Sequence, residues 1–179
     1  MTDESYMKSL IEALRWHDDE SRIDRATRIQ CAYSLYQPHE MVSGELVQFA
    51  LMKEARVCFV NGQFLATVIC AASALEHLLV ANLEKRLEGM RRKPTLGVLV
   101  DMVEGTQLLQ LPMIERLRKL NELRNPVVHR RDPKSESTVE FRSFQNNAHP
   151  DRILEDDARY ALAVMDEVFV HLLKPGVHE

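Results

Sequence analysis

The sequence predicts an all-α protein, an antiparallel bundle of four to five main helices preceded by a short helical extension. Three observations lead there. Apolar residues recur at three- and four-residue intervals through most of the chain. The stretch from Phe64 to Leu83 is apolar almost all round, which suits the buried central helix of a bundle. Breakers such as Pro38, Asn61-Gly62, Gly89, Pro94 and Pro112 fall between the periodic stretches rather than within them.

Residues 1–42 read as the extension. Tyr6, Leu10 and Leu14, with Met7 and Ile11, make a stripe at helical spacing that breaks near His17-Asp18-Asp19. Ser21 is placed to cap a second short helix, which runs to Tyr36 and is stopped by Pro38.

The main domain, residues 43–179, opens with a helix carrying Leu46, Phe49, Ala50, Lys53 and Val57 and ending at Asn61-Gly62. The long apolar helix follows, from about Gln63 to Glu88. Thr95 stands as the N-cap of a helix whose apolar face is Leu96, Leu99, Val100 and Val103. After Pro112, Ile114, Leu117, Leu120 and Leu123 form the stripe of a charged amphipathic helix. A polar segment from Asp132 to Pro150 contains Val139, Phe141 and Phe144, which read as anchors or a short extended piece. The last helix starts near Asp151 with an acidic first turn and ends at Lys174-Pro175-Gly176.

With 179 residues the chain is long enough for one domain with a substantial core. Hydrophobic residues at 45% and charged residues at 28% belong to an ordinary globular protein. Met1 to Ser5 is acidic and polar, unlike a signal peptide. Ser73, Glu76 and His77 inside the apolar run argue for a core helix over a membrane span. Cys31, Cys58 and Cys70 have no zinc-ligand spacing and fit a reducing compartment, so the expected location is the cytoplasm, with no metal and no cofactor.

The formal net charge of −4 discourages bulk binding to nucleic acid. The charge is nevertheless uneven. Seven basic residues lie between Arg116 and Lys134 (Arg116, Arg118, Lys119, Arg124, Arg130, Arg131, Lys134), opposed only by Glu122 and Asp132. Lys85, Arg86, Arg91, Arg92 and Lys93 make a second cluster. Either cluster alone reads most simply as a solvated helix face, yet a locally basic surface can hold a short run of phosphates.

Arg124 and His129 are the pair that suggests a reaction. Five residues at about 100° each leave them roughly 140° apart on a regular helix. Pro126 removes a backbone donor and disfavours helical geometry at Asn125, so the sequence suggests a kink there. Asn125 would then cap a new turn with Pro126 in its first position, and Asn125 and His129 would share a face.

The string Asn121-Glu122-Leu123-Arg124-Asn125-Pro126-Val127-Val128-His129 resembles the signature of the HEPN superfamily, an arginine followed after four to six residues by a histidine, usually with asparagine next to the arginine. Phe64 to Glu76 is similar to the family's long central helix, and Thr95-Leu96-Gly97-Val98-Leu99 resembles its next helix. The resemblance spans about Ser43 to Leu173, leaving the N-terminal extension and the polar segment after Arg131 unmatched. It implies a helical bundle that usually dimerises. It also implies a metal-independent endoribonuclease of the kind found in toxin–antitoxin, phage-defence or RNA-processing systems, where an antitoxin or another protein is the partner. Some members have lost catalysis and serve as binding or assembly modules, which is the competing reading.

The residues suit that chemistry. RNA carries its own nucleophile, the 2′-hydroxyl, and cleavage needs proton transfer and neutralisation of phosphoryl charge. Histidine exchanges a proton near neutral pH, and the arginine fork matches two phosphate oxygens. Arg124, Asn125 and His129 are therefore the expected catalytic set, with Arg118, Arg130 and Arg131 guiding the RNA backbone. Glu76, an acid in an apolar helix, needs a partner, and Arg124 is the candidate. The plainer readings are a surface histidine at a helix end and an arginine serving only an ion pair. RNA binding without cleavage would share the basic patch. Ser73 lacks the strand–turn–helix setting of a nucleophile elbow.

Overall fold

The computed structural model describes residues 3–35, 46–84 and 94–173, and these form seven helices with no strand. They are α1 (Asp3–Leu35), α2 (Leu46–Val60), α3 (Phe64–Asn82), α4 (Leu96–Glu104), α5 (Leu111–Val128), α6 (Val139–Asn146) and α7 (Pro150–Leu173). The all-α expectation is met. The second basic cluster (Lys85, Arg86, Arg91, Arg92, Lys93), Pro38 and the Lys174-Pro175-Gly176 stop lie outside the described residues.

The apolar α3 occupies the centre and packs against α2, α4, α5 and α7. Val68, Ala71, Ala72, Leu75, Leu78 and Leu79 are buried against Phe59 of α2 and the Ala161, Leu162, Met165 and Phe169 face of α7. By length and hydropathy α3 passes for a membrane span; in the bundle 44% of that window is buried, while Leu65, Ile69 and Val80 stay exposed. Alanines on two sides let its neighbours approach closely. α2 reverses into α3 at Gly62, whose φ of 74° is the left-handed conformation that the Asn61-Gly62 pair anticipates. In α5, Ile114, Leu117, Leu120 and Leu123 are the buried residues, as their spacing predicts.

Three local expectations are corrected. The N-terminal extension is not two short helices but one continuous helix of 33 residues. His17-Asp18-Asp19 does not break it, because these residues are charged but contain neither glycine nor proline, and Asp18 and Asp19 pair with Arg25 and Arg22 on later turns. Ser21 therefore caps nothing: its hydroxyl donates back to the His17 carbonyl at 2.9 Å. The polar segment carries a helix, α6, rather than an extended piece. Thr138 caps it by accepting from the Phe141 N–H at 3.3 Å, and Asn147 ends it at φ 47°. Phe144 anchors nothing and is 84% exposed. The segment is held instead by Arg142, which donates two 2.6 Å hydrogen bonds to Asp157 of α7.

Candidate functional site at the end of α5

The motif lies on the last turns of α5, and Pro126 does not end the helix. α5 runs through Pro126 and stops at Val128. A proline this close to a C-terminus removes one backbone bond with only two helical residues still to come, so the helix tolerates it. Asn125 consequently caps no new turn. Its carbonyl accepts the N–H of His129 at 2.9 Å, and His129, with φ −132° and ψ 129°, is the C-cap where the chain turns extended.

Arg124 points the other way, into the contact between α5 and α3. Its Nη2 lies 3.4 Å from Glu76 Oε1, and both side chains are largely buried. Glu76 has a second task. The same oxygen accepts the N–H of Leu96 at 2.9 Å, satisfying a free donor in the first turn of α4. Thr95 occupies the N-cap position in extended conformation but makes no side-chain cap bond; the cap expected from it comes from α3. One carboxylate thus ties three helices together at the position of Arg124. Nearby, Gly97 of α4 lets α5 approach: a Cβ there would lie 3.2 Å from the Asn121 side-chain nitrogen.

His129 is exposed, and no hydrogen bond joins it to Arg124 or to the Asn125 side chain among the described residues. The motif is consequently spread around the helix end, with an arginine anchored inward and a histidine facing solvent.

The basic run divides into engaged and free cations. Arg116 pairs with Glu167 of α7, and Lys119 lies over the Tyr160 ring at 4.6 Å. Arg118 reaches across to α4, donating to both Glu104 oxygens at 3.2 and 2.5 Å, with Asp101 at 3.5 Å. That bond holds the Glu104 carboxyl below the usual range. Arg118 therefore spends its charge on the α4–α5 contact. Arg130, Arg131 and Lys134 are exposed, and their side chains form no ion pair among the described residues. These are the cations immediately beyond His129.

A cleft of about 720 Å³ opens beside α5, lined by residues including Lys119, Glu122, Ser135, Arg142 and Tyr160. Neither Arg124 nor His129 lines it. Among the described residues no three His, Cys, Asp or Glu side chains gather as a metal site requires. Burial raises the thiols of Cys58 in α2 and Cys70 in α3 above their ordinary value. No signal in the sequence assigned Glu76 the capping of α4, because its partner lies twenty residues on.

No protein-family model, curated protein or solved structure matches this chain.

Proposed function

We propose that this protein is a metal-independent endoribonuclease of HEPN type, acting in the cytoplasm on RNA through Arg124, Asn125 and His129. The observation that carries the reading is the placement of His129: an exposed imidazole at a helix end, followed at once by Arg130, Arg131 and Lys134, which form no ion pair among the described residues. An open, basic surface suits a polymer with a phosphate backbone better than a small molecule, which needs a concave pocket.

In this reaction the 2′-oxygen attacks the adjacent phosphorus as a base takes its proton. The bond from phosphorus to the 5′-oxygen breaks, an acid protonates that oxygen, and a 2′,3′-cyclic phosphate and a 5′-hydroxyl remain. His129 supplies proton transfer. Arg124, steadied by Glu76, offers its remaining guanidinium N–H groups to the phosphoryl oxygens. Two copies of the chain would provide two histidines, one as base and one as acid.

The test is cleavage of end-labelled RNAs in EDTA by the parent and by His129→Ala, with the new 3′ ends assayed for cyclic phosphate. Cuts by the parent alone support the reading. Equal cutting by both displaces His129 from the reaction. No cutting by a folded parent, with RNA still bound, favours the binding-module alternative. That alternative draws on the absence of any described group that orients the His129 ring.

A further inference from the structure

α1 packs on α2 and α7. Its C-terminal part is held there: Ala32 is buried, and the Arg28 guanidinium lies 5.1 Å over the Phe64 ring and 3.6 Å from Glu155. From Glu4 to Glu20 every residue is exposed. These seventeen residues of helix extend about 25 Å. In proteins most of a helix's stability comes from packing its apolar face.

This arm has such a face. Tyr6, Met7, Leu10, Ile11 and Leu14 lie along one side and are 51%, 52%, 40%, 47% and 64% exposed. The stripe is not on the outer side of the helix. Leu14, Ser21 and Arg28 follow at seven-residue intervals, with Ala32 one turn on, so the stripe continues the line by which α1 grips its own bundle. The contact face simply runs past the bundle's edge.

We propose that the arm is a self-association helix, and that the arms of two copies pair antiparallel with Leu10 at the two-fold axis. The arrangement is independent of the nuclease reading. In this register Tyr6 and Met7 of one arm face Leu14 of the other. The exposed area of the five side chains in two copies sets an upper limit of about 1,000 Å² on what they can bury together, at the low end for a specific interface. Charge fits this direction as well. Glu4 and Arg15 lie on the same rim of the stripe, and antiparallel pairing places Glu4 of each arm beside Arg15 of the other. Parallel pairing would instead set Asp18 against Asp18 on the contact face.

Sedimentation equilibrium of the full chain at tens of micromolar tests this. The parent is expected at about twice its 20.7 kDa chain mass. Leu10→Glu and Leu14→Glu are expected to raise the dissociation constant more than tenfold, because each forces a charge into the contact. Both sites are exposed on the helix, and circular dichroism checks that the variants keep their helicity. Glu4→Arg or Arg15→Glu alone should weaken association several-fold, and the double exchange should restore it. A monomeric parent overturns the proposal, as does a dimer indifferent to Leu10→Glu or one not restored by the exchange. RNA cleavage by a monomeric parent would remove this inference and the two-histidine arrangement, and leave only cleavage through the residues of one chain standing.

Discussion

Glu76 and Arg124, 48 residues apart in sequence, meet at 3.4 Å where α3, α4 and α5 converge, and the carboxylate that holds the arginine also accepts the Leu96 N–H. The inward half of the motif is therefore part of the bundle's framework. The outward half, His129, is not. This division makes the two residues separable by experiment.

Glu76→Ala is expected to lose both the α4 cap and the arginine anchor, costing about 1–3 kcal/mol in urea unfolding. Glu76→Gln retains an acceptor for Leu96 but no charge for Arg124, and should lie between the parent and the alanine variant. An alanine variant as stable as the parent would remove the bridging role.

His129→Ala should leave stability within about 0.5 kcal/mol, since an exposed cap residue with no side-chain bond contributes little. The same variant should lose RNA cleavage. Unfolding curves and cleavage measured on one preparation separate the two effects.

Arg130→Ala and Arg131→Ala should each weaken RNA binding and flatten its dependence on salt, by about 0.7 in the slope of log K against log[salt] for a single-stranded RNA. Arg118→Ala should leave that slope unchanged, because the guanidinium is engaged by Glu104 and Asp101. Titrations at several salt concentrations with the uncleaving His129→Ala background read this directly.

Asp166, buried in α7 beside Arg56, gives the fold a pH dependence. Burial pushes its carboxyl up to about 6, against the pull of the Arg56 guanidinium. The folded protein then holds this proton more tightly than the unfolded chain does. Its contribution to stability is largest below the usual carboxylate range, declines as pH rises from about 4 to about 6, and is level above that. The loss is on the order of 3 kcal/mol. Urea unfolding of the parent and Asp166→Asn between these limits should show this slope in the parent and its absence in the variant.

Arg142→Ala should cost about 2–4 kcal/mol, because it leaves the Asp157 carboxylate buried without its two hydrogen bonds. Hydrogen exchange should then rise across α6, which this pair holds to α7. Unchanged protection of α6 would assign its docking to Val139 and Phe141 instead.

What the sequence determined by itself is what repeats locally. The Ile114, Leu117, Leu120 and Leu123 spacing marked the buried face of α5, the Leu96, Leu99, Val100 and Val103 set marked that of α4, and Asn61-Gly62 marked the turn between α2 and α3. Each signal needs only neighbours within two helical turns. The Arg-Asn-x-x-x-His string was legible for the same reason. Tertiary structure alone decided which of seven cations are engaged among the described residues, because Glu76, Glu104 and Glu167 reach their arginines only once the helices pack. The helix boundaries stayed local matters: α1 runs through His17-Asp18-Asp19 with Asp18 and Asp19 paired to Arg25 and Arg22 of the same helix, and α5 runs through Pro126 because only two helical residues follow it. A helix boundary is a balance of local costs of one or two kcal/mol or so, and packing or pairing along a neighbouring turn is enough to move it.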